Sequence, residues 1–539
     1  MKGMVVCPEP LAARAGELVL RAGGNAFDAA VAAAFAQGVT NPLLCGLAGT
    51  FVGLCGTADG RRDVVNAEAE IGSVPPPATW VDELAGRAET IGRYALTSEA
   101  NQIGAPSVMI PGFVAGAAAI FDDYGSGAVT WSDVVSPALE LARKGFRMYP
   151  YIAGFWKSAT AGDGGPGGAG YPSLAEKIRR ETSGLRLIMK DENTTFAVGD
   201  LLVQGALADT LQRLADAGAR DFYEGQLAQR ICDDLEPAGA LFTRDDLAGY
   251  RARILPPVTA QVWGHDLFTT SPPTPGVQLI EILQLLDRLG GIEDRDAATT
   301  IDRFAKVLRA TFMDNAYLKA LRIEDGDDHV ARVLGEDNLS QWHQRIAGGD
   351  RITVPAHEPV DGTTHVTVID EQSNVATITH SIGSIAGSAR MTEGLGFLHN
   401  NFLGHFDPRP GREASIEPGR RIGSGLPTAV YRDGELLMAI GAPGGSRIIT
   451  SVAQVVVDML LRGTGADTAV ALPRFHSEER SWIQLEPSIP ETVADELARM
   501  GNEISRSTYM SRVQAVERTP NGRLIAGADP RGGAGVGHA

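Results

Sequence analysis

The stretch that decides the fold is residues 361–368, Asp-Gly-Thr-Thr-His-Val-Thr-Val. From Thr363 to Asp370 the chain is rich in β-branched and apolar residues, and a second run of this kind covers residues 374–382. The polar residues 371–374, Glu-Gln-Ser-Asn, separate the two runs. This pattern predicts a β-hairpin whose first strand begins at Thr363.

The Gly362–Thr363 bond offers one specific chemistry. If this bond is cut, Thr363 gains a free α-amine beside its own hydroxyl. The ordinary pKa of an α-amine is about 7.7–8.0, so it is partly neutral near pH 7 and can accept the hydroxyl proton. Gly362 leaves room for the hydroxyl to attack the preceding carbonyl. Taken alone, however, Thr-Thr-His at the start of a strand is more often only a strand.

Two further features strengthen the catalytic interpretation. Ser381 lies 18 residues after Thr363, in the second strand of the predicted hairpin, where its hydroxyl can lie near the threonine. Residues 441–447, Gly-Ala-Pro-Gly-Gly-Ser-Arg, precede a predicted helix over 447–461. The N–H groups of Gly444 and Gly445 at a helix N-terminus can form an oxyanion hole, although a plain glycine turn is an equal alternative.

Composition excludes several other classes of function. The 539 residues carry 48 Lys and Arg against 66 Asp and Glu, a net charge of −18, which argues against a nucleic-acid-binding surface. The four cysteines form no CxxC pair and no HExxH motif occurs, so we expect no disulfide scaffold, metal site or cofactor. A GxGxxG match at Gly165, Gly167 and Gly170 follows no predicted strand, which argues against dinucleotide binding.

The sequence also bears on location. No basic and apolar leader opens the chain, so a cytoplasmic protein is expected. Residues 29–58 carry no charge and are long enough to span a bilayer, but residues 40–42, Thr-Asn-Pro, divide them. We therefore predict a buried helix followed by a buried strand, with no membrane partner. Residues 324–360 are polar and irregular and are predicted to form a linker.

Taken together, these motifs resemble those of the γ-glutamyltranspeptidase family of N-terminal-nucleophile hydrolases. Besides residues 363–365 and 443–447, the resemblance rests on four stretches: Gly-Gly-Asn-Ala-Phe-Asp-Ala-Ala at 23–30, Ile-Pro-Gly-Phe-Val-Ala-Gly at 110–116, Leu-Pro-Arg-Phe-His at 472–476 and Ala-Asp-Pro-Arg at 528–531. It implies an α+β fold, a four-layer αββα sandwich. It also implies self-cleavage into a large subunit, 1–362, and a small subunit, 363–539, which form one intertwined domain.

The resemblance also implies the catalytic roles. Thr363 would be the nucleophile and, through its amine, the general base. Ser381 stands where the family has a threonine, and it keeps the hydroxyl. Gly444 and Gly445 would hold the oxyanion. The substrate would be a small-molecule amide, with no nucleic acid involved, and the processed heterodimer could form a homo-oligomer.

The expected substrate pocket departs from that of the family. Gly383 replaces an asparagine, Phe402 and His405 replace a glutamine and an aspartate, and Gly423 and Ser424 replace a serine pair. None of these residues is an anion that could pair with the ammonium of a glutamyl donor. The arginine for the α-carboxylate is not securely placed. The candidates are Arg93 and Arg87, with Arg390 and Arg421 available to a rebuilt pocket.

The leading hypothesis is an amidohydrolase that acts on a non-glutamyl or small carboxylate-bearing amide, such as an oxamate-like or N-acyl compound. One alternative is a true γ-glutamyl hydrolase or transpeptidase acting on glutathione-like donors. Under that alternative an acid elsewhere, such as Glu68 or Glu393, would have to reach the pocket. The other alternative is a binding protein that is never processed and is not catalytic.

Overall fold

The structure is a computed structural model, and it describes residues 2–84, 94–160, 172–190, 194–354 and 362–539. The glycines of the GxGxxG match, together with Arg87 and Arg93, lie outside the described residues.

Within the described ranges, the helices are α1 (Pro10–Arg21), α2 (Ala26–Thr40), α3 (Thr79–Asp82), α4 (Phe113–Tyr124), α5 (Trp131–Lys144), α6 (Pro150–Thr160), α7 (Leu174–Arg180), α8 (Leu185–Ile188), α9 (Gly205–Ala217), α10 (Asp221–Glu224), α11 (Gln226–Leu235), α12 (Arg244–Gly249), α13 (Gly276–Leu289), α14 (Ala298–Asp314), α15 (Gly326–Val333), α16 (Glu336–Ala347), α17 (Arg447–Leu460), α18 (Ala466–Ala469) and α19 (Glu491–Arg499). Short 3₁₀ turns cover Ala105–Ser107, Leu318–Ala320, Ile323–Asp325 and Phe402–His405.

The strands are β1 (Gly3–Cys7), β2 (Thr50–Gly56), β3 (Arg62–Ala67), β4 (Phe146–Arg147), β5 (Leu201–Leu202), β6 (Arg253–Leu255), β7 (Val258–Val262), β8 (His265–Thr269), β9 (Thr363–Asp370), β10 (Val375–Ser381), β11 (Thr428–Arg432), β12 (Glu435–Gly441), β13 (Phe475–His476), β14 (Trp482–Leu485), β15 (Glu503–Arg506), β16 (Gln514–Arg518), β17 (Leu524–Ala528) and β18 (Gly535–His538).

Two large antiparallel sheets form the centre of the molecule. The first has the order β18-β1-β9-β10-β2-β3-β6, and the second has the order β17-β16-β12-β11-β8-β7. Apolar side chains fill the space between them, with Val52 and Ile369 from the first sheet meeting Ala439 and Val516 from the second. The two sheets therefore pack face to face.

Helices cover the outer face of each sheet. On the first sheet lies α2, in which every residue is buried, and Asn25 and Asp28 form a reciprocal capping box at its start. On the second sheet lie α13, α14 and α17. The layers run helix, sheet, sheet, helix, so the predicted αββα sandwich is confirmed. The uncharged residues 29–58 fall in α2, the segment after it, β2 and the first two residues of the turn that follows β2. No helix in the described ranges is long and apolar enough to cross a membrane.

Strands from both sides of residue 362 contribute to each of the two large sheets. In the first sheet β1, β2, β3 and β6 precede this residue, whereas β9, β10 and β18 follow it. In the second sheet β7 and β8 precede it, and β11, β12, β16 and β17 follow it. Neither side of the chain holds all the strands of either large sheet.

The hairpin prediction is confirmed, because β9 and β10 pair with Thr363 opposite Ser381. The linker prediction for residues 324–360 is wrong over its first part, where α15 and α16 form. Buried Leu339, Trp342 and Ile346 attach α16 to the second core. Charged residues on its outer face obscured this helical spacing in the sequence.

Candidate active site

A row of hydroxyl side chains crosses the first sheet at the start of β9. Thr363 is directly opposite Ser381 on β10, and Ser381 is directly opposite Thr50 on β2. Both Thr363 and Ser381 are buried, at 6% and 1% exposure. Because side chains alternate along a strand, Thr363 and His365 share the face that meets the second sheet, while Thr364 faces α2.

The peptide bond before Thr363 is held by Ser381. The Ser381 hydroxyl donates a hydrogen bond to the carbonyl oxygen of Gly362 and accepts one from the Gly383 N–H at 2.9 Å. Gly362 has a φ of 145°, and a Cβ at this position would lie 2.0 Å from the Gly383 carbonyl oxygen. Only glycine fits here, and the carbonyl that Thr363 would attack is polarised by a positioned donor.

A buried carboxyl group fixes the residue after the candidate nucleophile. Glu9 accepts hydrogen bonds from the Thr364 hydroxyl at 3.0 Å, from Gln37 Nε2 at 2.7 Å and from Asn41 Nδ2 at 2.7 Å. Burial raises the pKa of Glu9, and these donors act against the rise. The network anchors the start of β9 to α2. Sequence reasoning missed Glu9, which precedes α1 directly and gives no motif signal.

His365 has a structural environment. Its Nδ1 lies 2.8 Å from the Thr379 hydroxyl and its Nε2 lies 2.9 Å from the Thr367 hydroxyl. Burial lowers the pKa of His365 to about 3, so the ring is neutral at physiological pH. A Cβ at Gly441 would meet this ring at 2.1 Å. The imidazole therefore packs between the sheets.

The glycine pair predicted to hold the oxyanion lies at the same end of the sandwich. Gly441, the last residue of β12, packs on His365, the third residue of β9. Gly444 and Gly445 follow with φ values of 138° and 61°, and α17 begins two residues later. Both conformations favour glycine. Their N–H groups precede a helix N-terminus near Thr363, which suits an oxyanion, and that role stays a prediction.

The positions expected to bind substrate have separate environments. The space beside Gly383 is taken by Asn401 Oδ1, which a Cβ would meet at 2.2 Å. Phe402 is 3% exposed and packs in an apolar cluster with Ile71 and Trp80, so it is a core residue and not an open pocket wall. His405 lines a small cavity of about 30 Å³.

Ser424 contacts an acid. Its backbone N–H and its hydroxyl both donate to Glu68 at 2.9 Å, and the Thr50 hydroxyl also donates to this carboxyl group. Glu68 is fully buried, and this burial raises its pKa from 4.5 to about 7. The hydroxyl row thus continues from Thr363 through Ser381 and Thr50 to Glu68. The sequence signal for Glu68 was an acidic residue at the end of an apolar strand.

The candidate arginines within the described residues already have partners. Arg421 contacts Glu70 at 2.8 Å and the Asn66 carbonyl oxygen at 2.8 Å. Arg390 pairs with Glu181 at 3.1 Å and with Asp234. Neither guanidinium is free to take a substrate carboxylate without losing an internal ion pair.

The two C-terminal motifs meet in a buried ionic network. Arg474 pairs with Asp529, and Asp529 also pairs with Arg531 at 3.1 Å. Arg531 Nε lies 2.6 Å from Glu486. These motifs therefore join segments of the second half of the chain and do not reach the hydroxyl row. Among the described residues, no cluster of three or more His, Cys, Asp or Glu side chains could hold a metal ion.

Two facing sheets lie between helical layers, and a buried threonine directly after a glycine begins a central strand. This arrangement defines the class of N-terminal-nucleophile hydrolases. The family model described as Gamma-glutamyltranspeptidase matches residues 12–538. The chain belongs to this family, and it is an amidohydrolase.

Known relatives agree with this assignment. The chain is 30% identical over 554 residues to the Acylase ACY 1 proenzyme of Pseudomonas sp. (strain V22), covering 98% of this chain and 92% of that protein. It is 26% identical to the Glutathione hydrolase proenzyme of Escherichia coli (strain K12), covering 98% and 90%. The fold matches that of cephalosporin acylase from Bacillus halodurans with a TM-score of 0.85 and 24% identity, covering 99% of this chain and 95% of that one.

Proposed function

We propose that this protein is an autoprocessed N-terminal-threonine amidohydrolase that acts on an acyl group other than γ-glutamyl. The observation that carries the proposal is the Ser381 hydroxyl on the Gly362 carbonyl, at a backbone position that only glycine fits. Cleavage there gives subunits 1–362 and 363–539, and the pairing of strands from both parts in each large sheet holds them in one domain.

The maturation step follows from this geometry. The Thr363 hydroxyl attacks the Gly362 carbonyl carbon, and the Ser381 hydroxyl stabilises the developing oxyanion. The C–N bond breaks, the proton passes to the Thr363 nitrogen, and an ester joins Gly362 to the threonine side chain. Water hydrolyses this ester and releases the Gly362 carboxylate. Thr363 is left with a free amine and a free hydroxyl.

Turnover of substrate uses the same groups. The Thr363 amine takes the hydroxyl proton as the oxygen attacks the amide carbonyl, and the N–H groups of Gly444 and Gly445 hold the oxyanion. The amine then passes the proton to the leaving nitrogen, and an acyl-enzyme ester remains. Water, deprotonated by the same amine, hydrolyses this ester and frees the acid.

The charges around Ser424 support a changed specificity. In the family this position helps to hold the α-carboxylate of a glutamyl donor, but here Glu68 occupies both donors of Ser424. A substrate carboxylate at this place would have to displace an acid and lie beside it. His405 and Phe402 supply no anion for an ammonium group. Glu68 does reach Ser424, but the hydroxyl groups of Ser424 and Thr50 already occupy its carboxyl group, and burial raises its pKa to about 7, which makes it a weak partner for an ammonium. An acyl group without a free α-amine suits these surroundings better, and the relatives named acylases support this choice.

Denaturing gels and a donor screen test the proposal. The purified protein should show two bands, with the smaller one beginning Thr-Thr-His-Val, while Thr363→Ala should remain a single band. The matured enzyme should release amine from acyl, oxamoyl or succinamoyl amides faster than from γ-glutamyl-p-nitroanilide. Faster turnover of the γ-glutamyl compound would favour a glutathione hydrolase instead. A wild-type chain that stays whole and inactive would indicate a binding protein.

A further inference from the structure

We propose that Arg512 is a positioning residue for the hydrolase reaction, which joins the glycine loop before α17 to the strand that begins at Thr363. The inference deepens the proposed function and rests on Thr363 being the nucleophile. Arg512 lies between β15 and β16 and is only 3% exposed. A guanidinium buried to this extent is costly unless its surroundings compensate the charge, so its neighbours are informative.

The backbone beside Arg512 orients the first of the two predicted oxyanion donors. The Arg512 N–H donates to the Pro443 carbonyl oxygen at 3.3 Å, and the Ser511 hydroxyl donates to the same oxygen at 2.5 Å. A Cβ on Gly444 would lie 3.1 Å from Ser511. Because the peptide group between Pro443 and Gly444 is planar, holding its carbonyl oxygen on one side directs the Gly444 N–H to the other.

Aromatic rings hold the Arg512 side chain in one place. Its guanidinium carbon lies 5.7 Å and 5.8 Å from the ring centroids of Tyr151 and Phe155 on α6, and 5.7 Å from that of Tyr509. A cation at such a distance from an aromatic ring is attracted to it. The rings therefore restrict a side chain that would otherwise be flexible, and this also steadies the backbone at residue 512.

The charge of Arg512 acts on Glu9, which holds the residue after the nucleophile. Arg512 lowers the pKa of the buried Glu9 carboxyl group, against the larger effect of burial. Glu9 accepts the hydrogen bond from the Thr364 hydroxyl at 3.0 Å. Glu9 precedes the proposed cleavage site and Arg512 follows it, so this interaction would join the two subunits at the active-site end of β9.

The favoured form of Glu9 is the ionised one, because its neighbours are donors. A carboxylate can accept from Thr364, Gln37 and Asn41 together, whereas a protonated acid would turn one oxygen into a donor. Four other titratable groups face Glu9, and burial raises the pKa of each, so all are neutral at physiological pH. They are Cys7, Cys45, Tyr149 and Tyr151.

Substitution of Arg512 tests the inference in two ways. Arg512→Met should slow processing and lower kcat by about 10-fold, with KM changed by less than about 3-fold, and Arg512→Lys should restore most of both rates. Arg62→Met is the matched control. The Arg62 guanidinium also lies over two rings, those of Phe268 and Tyr431, but it is opposite Gly56, at the end of β2 away from Thr50. This variant should keep wild-type rates.

The second measurement needs no activity and uses the uncleaved Thr363→Ala chain. Arg512 favours ionised Glu9, so its contribution to stability should grow as pH rises and Glu9 loses its proton. Arg512→Met should therefore lower the melting temperature more at pH 8 than at pH 5. In a Glu9→Gln background this pH dependence should vanish, and the loss caused by Arg512→Met should become smaller.

Three results would overturn the inference. They are wild-type processing and kcat in Arg512→Met, equal losses of rate in Arg62→Met, and a melting-temperature loss that is the same at both pH values or unchanged by Glu9→Gln. If Arg512→Met alone does not fold, the double variant with Glu9→Gln removes both charges and should fold, and its failure would also count against the link. If the pH-dependent coupling appears while the wild-type chain is never processed, the proposed function fails and the link between Arg512 and Glu9 stands.

Discussion

Replacing Ser381 by alanine is the sharpest test of the maturation chemistry. The change removes the donor on the Gly362 carbonyl and also leaves the Gly383 N–H without its acceptor at 2.9 Å. Loss of one oxyanion donor slows acyl transfer by about 100- to 1000-fold, or roughly 3–4 kcal/mol in the barrier. The stranded N–H costs about 1–3 kcal/mol in folding stability. Processing should therefore slow by about 100- to 1000-fold, while the free energy of unfolding falls by about 1–3 kcal/mol.

The assay follows conversion of the full-length chain into two bands after a pulse of synthesis, with thermal unfolding measured in parallel. Ser388→Ala is a matched control. The Ser388 hydroxyl is also buried, donates to a carbonyl oxygen, that of His399, at 3.1 Å and accepts from the N–H two residues later at 3.2 Å. The Ser388→Ala variant should lose stability but be processed at the wild-type rate. Ser381→Thr should keep most of the rate. Wild-type processing in Ser381→Ala would refute the assigned role of this hydroxyl.

Three further predictions follow from the same structure. The matured enzyme should turn over γ-glutamyl-p-nitroanilide about 100-fold less efficiently than its preferred amide in kcat/KM, and a γ-glutamyl rate well above that of the des-amino glutaryl compound would contradict this. Glu68 keeps its proton to about pH 7 when folded but loses it near pH 4.5 when unfolded, so it destabilises the fold by up to about 3 kcal/mol as pH rises through this window. The free energy of unfolding, measured at pH 5 and pH 8, should show that Glu68→Gln gains stability relative to wild type at the higher pH. An equal difference between the two proteins at both pH values would argue against the raised pKa of Glu68. Lys177 Nζ donates to Ser384 Oγ at 2.6 Å and to the Ile385 carbonyl oxygen at 2.8 Å in the loop after β10. Lys177→Met should therefore slow processing about 10-fold. Lys190→Met, which changes an exposed lysine, should leave the processing rate unchanged on the same gel.

Local sequence pattern was enough to predict the central parts of the fold. The run of β-branched residues after Gly362 predicted β9 and β10, and the pairing of Thr363 with Ser381 followed from the short turn between them. Glycine and proline signals placed the start of α17. These features depend on neighbours in the chain, which is why they can be read without the structure.

The missed features depend on contacts between distant segments. Glu9 reaches Thr364 across 355 positions, and Ser424 reaches Glu68 across 356. Phe402 was expected in the substrate pocket, but it lies in the core because residues from several loops converge on it. A single sequence carries no signal for such convergence.

Both large sheets combine strands from the two sides of residue 362, and this gives the proposed cleavage a direction. Before cleavage, folding is an event within one molecule, and every strand finds its neighbour on a connected chain. After the proposed cleavage, refolding becomes an association of two molecules, each lacking the strand neighbours that the other supplies. A denatured mature enzyme should therefore recover poorly and in a concentration-dependent way, whereas the uncleaved Thr363→Ala chain should refold at any dilution. The proposed cleavage would make the stability of the folded state kinetic, because the two unfolded subunits do not readily reassemble.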